Sequence, residues 1–525
     1  MSFGRRVLGW ASGAAVVSAV LLQGCSGGGT SGGGTGKTPE AVPTVTIGPS
    51  PALVIQAGEL AYVVTVSVPS GDATPTGTVV ISSGSYASFA ATLSSGSAAI
   101  NVPQALLALG SNTLTATYRP DASSLGYVSA TGTTTVNGPA AATPPTVTAS
   151  SVTYPTMGAP FQAIVSSTGT VFVGVPSGIQ VFTPGSGGLT ASCVNALGSS
   201  LTGEGGAVSE LSFLPGGTNV AAGISSPGAI FYNEASLASC TATGTVVSQG
   251  TIASDQGTQA VAVTPDGKYA FVSNEYGVAN GASTEGNIGV VQLAYDGSGN
   301  VSGGTLVGQI STGGQAIAGM LLSPDGTRLY VTSEIAGLAT QGQGSSNTVL
   351  ARTGCVQAAG SNPQINGILT VINVATAETT PTSAAIVATV DAGCSPVRMA
   401  ETADQSTLWV AVRGDNHVLA FSTGMLELNA GNALVGYAST GGTAPVGIAL
   451  LDNDKLLAVA NSNRFGGGTA NATILSVGTP ASASVVQTVS TGLFPREVSL
   501  GPDGKTLYLT NYSSDSLQVI ATTAQ

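Results

Sequence analysis

The sequence predicts an all-β protein in two parts, a small sandwich followed by a closed ring of short sheets. Three observations carry this. Short runs rich in Val, Ile, Thr and Tyr alternate with Gly, Pro and Asp clusters throughout the chain. Charged residues are only 7% and glycine numbers 74, so the usual surface helix formers are scarce. A unit of about fifty residues recurs through the last two thirds of the chain. Apolar residues at 42% suffice for a core, and the profile is not the low-hydrophobicity, high-charge one of disorder.

The first segment reads as an export signal. Arg5 and Arg6 precede an apolar run from about Val7 to Leu22, followed by Gln23, Gly24 and Cys25. Residues 1–24 are therefore set apart from the fold. The ending "LLQGC" resembles the lipobox of bacterial lipoproteins. That resemblance implies a diacylglyceryl thioether on Cys25, palmitate or a similar acyl chain, and a Cys25 N-terminus after cleavage. An ordinary signal peptide with an incidental Cys is the other reading. Cleavage removes Arg5 and Arg6 and leaves 11 basic against 25 acidic residues, a net charge of −14. Residues 25–41, "CSGGGTSGGGTGKTPEA", form a flexible Gly/Ser/Thr spacer. The expected location is the bacterial cell envelope, with the folded part tethered to a membrane by lipid and facing periplasm or exterior.

Residues 42–139 contain "TVTI", "AYVVTVSV", "GTVVISS", "SAAINV", "NTLTATYRP" and "TGTTTV" between turn signals. This spacing predicts a sandwich of about a hundred residues. The stretches "PTGTVVISSG" and "SNTLTATYRPDASSLGYVSATGTTTV" resemble bacterial Ig-like domains. The resemblance implies a spacer or adhesion module. It holds no Cys, so no intersheet disulfide is expected.

The repeat occupies 146–525. "TPDGKYAFVSN" (264–274), "SPDGTRLYVTS" (323–333) and "GPDGKTLYLTN" (501–511) are clear copies, each a Pro-Asp-Gly turn between strands. Weaker copies lie at 166–175, 214–223, 402–412 and 451–461, making seven. Units aligned on the strand before each turn begin at Pro160, Val208, Thr258, Ile317, Pro396, Pro445 and Pro495. The intervals of 48, 50, 59, 79, 49 and 50 are those of four-stranded β-propeller blades. The last unit has only 31 residues, enough for three strands. Its fourth strand is expected from "TVTASSVTY" (146–154), which would pair beside "LQVI" and close the ring. The repeats resemble those of YVTN-type seven-bladed bacterial propellers, which are similar to lactonase-type propellers. That resemblance implies the fold, and it leaves binding, scaffolding and several chemistries open.

In a propeller the innermost strand of each blade lines the axis. The third aligned position reads Gln162, Glu210, Ala260, Gly319, Arg398, Gly447 and Glu497. The fifth reads Ile164, Ser212, Ala262, Leu321, Ala400, Ala449 and Ser499, and the fourth is apolar throughout. Alternation puts the third and fifth positions on the channel side. Gln162, Glu210, Arg398 and Glu497 are thus candidate channel ligands. Glu210 and Glu497 would hold a cation or polar group, and Arg398 a carboxylate. The structural alternative is that Arg398 neutralises the two carboxylates.

Three inserts, 275–287, 334–366 and 462–472, fall in the same slot of their units and should decorate one face. Cys193, Cys240, Cys355 and Cys394 allow three pairings, of which Cys355–Cys394 with Cys193–Cys240 is preferred over four free thiols. His417 is the only histidine and is expected at a strand edge, which weakens any His-based acid/base mechanism. The "RGD" at 413–415 is read as an Asp-rich turn before a strand. Scattered Lys and Arg exclude a nucleic-acid stripe. Past the Gly/Ser/Thr spacer, no nucleophile-elbow, zincin, P-loop or dinucleotide motif is present.

These features point to a non-enzymatic envelope scaffold that binds a protein or glycan on its loop-bearing face, touching the membrane only through its lipid. The competing expectation is a lactonase-like hydrolase. Only under that second reading is a cofactor expected, a divalent metal at Glu210 and Glu497 activating water.

Overall fold

The computed structural model describes residues 41–49, 59–83, 86–88, 91–103, 107, 110–121, 124, 126–138, 144–196, 208–224, 228–248, 256–276, 285–336, 348–349, 367–428, 430–464, 466 and 468–525. Cys25, the spacer, Cys355 and most of the first two inserts lie outside the described residues.

The N-terminal part is a two-sheet sandwich. Thr44–Pro49, Glu59–Ser67 and Ser97–Pro103 form one sheet. Gly77–Ser83, Ser111–Pro120 and Ala130–Asn137 build most of the other. Gly77–Ser83 and Ser111–Pro120 alternate buried and more exposed residues, as strands with one wet face must. Their inward side chains, Val79, Ile81, Leu114, Ala116 and Tyr118, meet Val64 and Val66 of the opposite sheet. Tyr118 keeps its hydroxyl satisfied by donating to the Thr76 carbonyl at 2.7 Å.

Seven antiparallel sheets follow, one for each repeat, and they make a β-propeller. Each runs from an inner to an outer strand, for example Pro396–Glu401, Thr407–Val412, His417–Ser422 and Leu434–Ser439 in blade 5. Middle strands are largely apolar because neighbouring blades cover both faces. Val171–Val175 and Leu456–Asn461 are buried at every residue. Side chains from adjacent blades share cores, as Trp409 and Val418 of blade 5 do with Leu457 and Val459 of blade 6. The fourth sheet carries a fifth strand, Thr348–Val349, parallel to Ile386–Asp391.

Closure is by strand exchange between the two ends of the repeat region. Val147–Pro155 pairs antiparallel with Ser516–Ala524 over nine residues, from Ala524 opposite Val147 to Ser516 opposite Pro155. Inner strands neighbour one another around the ring, and Ala163–Val165 of blade 1 meets Pro495–Leu500 of blade 7. Thr510 of blade 7 also donates to the Phe161 carbonyl of blade 1 at 2.9 Å.

The Pro-Asp-Gly turns are held by their Asp. In the last copy, Asp503 accepts from Lys505 N, Thr506 N and the Thr506 hydroxyl at 3.0, 2.8 and 2.6 Å. The following Gly504 has φ +69°, a conformation that favours glycine. Blade 5 places Gln405 at the same point with φ +59°. Short helices, Glu234–Ala238, Val374–Thr379 and Thr423–Leu428, bridge third and fourth strands in blades 2, 4 and 5. Asn233 and Asn373 cap the first two by accepting from the backbone three residues on. These few-residue helices have no sequence period of their own, so only their caps were available to mark them.

Candidate functional site

Six of the seven inner strands carry a β-bulge near their start, between Val208 and Glu210 in blade 2 and at the matching place in blades 3 to 7. A bulge inserts a residue and breaks strict alternation. The second aligned position therefore faces the axis as well as the third. Simple period-two reasoning covers only the part of the strand past the bulge. There the fourth ring, Ala163, Leu211, Val261, Met320, Met399, Ile448 and Val498, is buried. The fifth ring is mostly half-buried along the channel.

Glu210, Arg398 and Glu497 come from blades 2, 5 and 7 and are brought together on the axis. Arg398 Nε donates to Glu497 Oε1 in a salt bridge. Its side chain is 13% exposed and that of Glu497 6%, so the pair is largely desolvated. Burial works against the charge on Arg398, but Glu497 and Glu210 outweigh it and raise its pKa. Glu210 touches some solvent, yet protein crowds its carboxyl. That desolvation lifts its pKa to about 8, against a partial downward pull from Arg398 and with a further push from Glu497. At neutral pH Glu210 holds its proton. Gln162 is placed apart from this cluster in function, since its Oε1 accepts from Leu211 N and ties blade 1 to blade 2.

The rings are fitted closely. A Cβ on Gly319 would stand 2.1 Å from the Val397 carbonyl oxygen, and one on Gly447 would stand 2.6 Å from Glu497 Cα. Glycine at these third-ring places lets blades 4 and 6 approach their neighbours.

Above this cluster a cavity of about 220 Å3 opens on the axis. Its wall comprises Gln259, Glu275, Ile317, Ala318, Glu334, Val397, Arg398, Arg413, Val446, Arg464, Phe494 and Arg496. Glu275, Glu334 and Arg413 stand at equivalent places, each directly after its copy of the repeat motif. Glu275, Glu334 and Arg464 are also among the opening residues of the three inserts. The cavity wall thus includes described residues at the openings of the three inserts.

Arg413 forms a salt bridge with Glu334 across blades 5 and 4. Burial lowers the Arg413 pKa, with Arg464 and Arg398 pushing the same way and Glu334 and Glu275 opposing. Arg496 lies 4.5 Å over the Phe161 ring and 5.7 Å over Tyr512. Its burial, with Arg398 nearby, brings its pKa down to about 10. Arg464 lies 5.9 Å over Phe494. The sequence reading missed Arg413, Arg464 and Arg496 as a group. Arg496 was signalled at the second position of its inner strand and Arg413 directly after its second strand, whereas Arg464 lies three residues past Leu456–Asn461.

The other marked residues have structural surroundings. The Arg-Gly-Asp turn is used internally, with Arg413 in the cavity wall and Asp415 Oδ2 accepting from Cys394 N at 3.0 Å. His417 begins its strand, stacks on Tyr437 at 4.0 Å and contacts the Asp415 carbonyl through Nδ1. Cys193 and Cys240 form a disulfide between blades 1 and 2. Cys394 is also disulfide-bonded, and Cys355 lies outside the described residues.

The pair Glu210 and Glu497 does not fit a divalent metal. The Arg398 guanidinium already faces both carboxyls, and Glu210 is protonated at neutral pH. Among the described residues, no group of three or more His, Cys, Asp or Glu side chains could hold a metal ion.

No family model matches the chain, and no curated protein matches it. Among solved structures it is similar to Kuenenia stuttgartiensis hydrazine synthase. The two share 19% identity with a TM-score of 0.49, over 70% of this chain and 96% of that one. The propeller assignment rests on the closed ring of sheets, not on this likeness.

Proposed function

We propose that this chain is an exported, lipid-anchored cell-envelope protein whose propeller is a binding scaffold. The observation that carries the reading is that Glu275, Glu334 and Arg464, where the three inserts open, line the axial cavity. Binding residues gather on loops held by a rigid frame, and a ring of seven sheets is such a frame. The anchor is read from Arg5, Arg6 and the "LLQGC" ending at Cys25. The sandwich is taken as a bacterial Ig-like spacer, and the blades as YVTN-type repeats. Spacer and sandwich would hold the binding face away from the bilayer.

The lactonase-like alternative needs an activated water and an electrophile beside the substrate carbonyl. Arg398 is instead paired with Glu497, and a neutral Glu210 is a poor base at pH 7.

Two experiments test the proposal. The chain from residue 26 onward, assayed against lactones with and without chelator, should give no turnover. Chelator-sensitive hydrolysis that disappears in Glu210→Gln and Glu497→Gln would overturn the scaffold reading. In cells fed a labelled fatty acid, Cys25→Ser should lose both the label and membrane retention. Undiminished labelling of that variant would remove the lipid anchor from the account.

A further inference from the structure

Four of the chain's nine arginines line the one axial cavity, although the protein as a whole is acidic. They are unevenly placed around it. Arg398, Arg413, Arg464 and Arg496 come from blades 5 to 7, whereas Gln259, Glu275 and Glu334 come from blades 3 and 4. One half of the wall is therefore cationic and the other half is built of oxygen acceptors and an amide.

The charges leave a small positive excess. Glu334 pairs with Arg413, and Glu497 beneath the cavity pairs with Arg398. Glu275 accepts from Gln259 at 2.9 Å and adds a second opposing charge near Arg413. Among the described residues, four guanidinium groups thus face three carboxylates, and the fourth nearby carboxyl, Glu210, is neutral at pH 7. One negative charge balances the site.

Arg496 marks where that charge is wanted. Its Nε is buried and has no hydrogen-bond partner among the described residues. The faces of Phe161 and Tyr512 lie against its guanidinium, and Arg398 repels it. A buried donor left unsatisfied costs roughly 1–3 kcal/mol. A carboxylate oxygen would satisfy it, and a guanidinium fork suits a planar carboxylate.

The volume sets the size. At about 30 Å3 per water, the 220 Å3 cavity has room for roughly seven waters, about the bulk of one sugar ring. Ile317, Ala318, Val397, Val446 and Phe494 supply only small apolar patches between the polar groups.

We propose that the axial cavity binds a hydroxylated monocarboxylate of single-sugar size, with a uronic acid as the type. The carboxylate sits against Arg464 and Arg496, and ring hydroxyls point to Gln259, Glu275 and Glu334. This rests on the scaffold reading above and names the ligand of its binding face.

The test is titration calorimetry on the chain from residue 26 onward. The ligands are glucuronate and galacturonate, their neutral parents glucose and galactose, inorganic phosphate, and trigalacturonate. A uronate should bind at least about ten-fold more tightly than its neutral sugar and than phosphate. Arg464→Gln should weaken that binding about ten-fold or more with an unchanged melting midpoint. Arg496→Lys keeps a charge but lacks the fork, and should weaken it too. Tighter binding of trigalacturonate would assign the ligand to a polysaccharide end, and equal binding to the free acid. The proposal falls if neither uronate binds, if the neutral sugar or phosphate binds as tightly, or if Arg464→Gln leaves the affinity intact. Such a failure leaves the scaffold reading standing, which only carboxylate-dependent lactone turnover removes.

Discussion

Arg398 is the residue on which the axis turns. Its guanidinium pairs with Glu497 of blade 7 and also feels Glu210 of blade 2, whose carboxyl burial keeps protonated at neutral pH. A buried ion pair adds little net stability against a well-packed apolar substitute, but an unpaired partner is costly. Glu210 makes this measurable. Its folded pKa is about 8 against an unfolded 4.5, so the native state binds an extra proton between those values. Stability therefore falls as pH rises from about 4.5 through about 8. Chemical denaturation of Glu210→Gln should show a smaller loss over that window than the parent, and an equal loss would refute the assignment. The three charged members of the cluster were legible in the sequence, because charge is rare here and the repeat aligns them to one position. Gln162 was legible as an axial residue too, but its tie to Leu211 depended on how two blades meet.

At the scale of elements, the inner strand decides the site. Its bulge turns two successive positions toward the axis, which brings Gln259 and Arg496 into the wall beside Arg398. Nothing in the residue pattern marks a bulge that recurs at a place of varied sequence. The second strands were easier. Their turns and apolar runs identified each blade, and in blades 3 to 5 the residue after the repeat motif lands in the cavity wall. Close inner-strand approach gives a sharp prediction at Gly319. A methyl there meets the Val397 carbonyl oxygen at 2.1 Å, and backbone cannot step aside cheaply. Gly319→Ala should lower stability by about 1–3 kcal/mol or more. A melting midpoint unchanged from the parent would mean the blades are less tightly fitted than described.

For the whole molecule, closure is the organising event. Ser516–Ala524 would be an open sheet edge without Val147–Pro155 beside it. A chain starting at residue 144 should therefore melt cooperatively, and one starting at residue 156 should lose cooperativity or melt far lower. Equal melting of the two would show that the ring holds without its exchanged strand. The Cys193–Cys240 disulfide is a second fastening, across blades 1 and 2 at a sequence separation of 47. By loop-closure entropy it contributes at most about 4 kcal/mol. Replacing both cysteines by serine should lower the midpoint in the oxidised protein and abolish the effect of reductant on this pair.

The sequence by itself determined the repeat, the number of blades, the exchanged strand and the rarity of charge on the axis. These are properties of local pattern, since turn residues, strand propensity and a fifty-residue period are written along the chain. The tertiary structure decided which charges meet. Glu275, Glu334, Arg413, Arg464 and Arg496 span some 220 positions and belong to five blades, so no short window contains two blades' worth of the cavity wall. Only ring closure sets their strand ends around a common axis, and only the bulges turn the right residues into it.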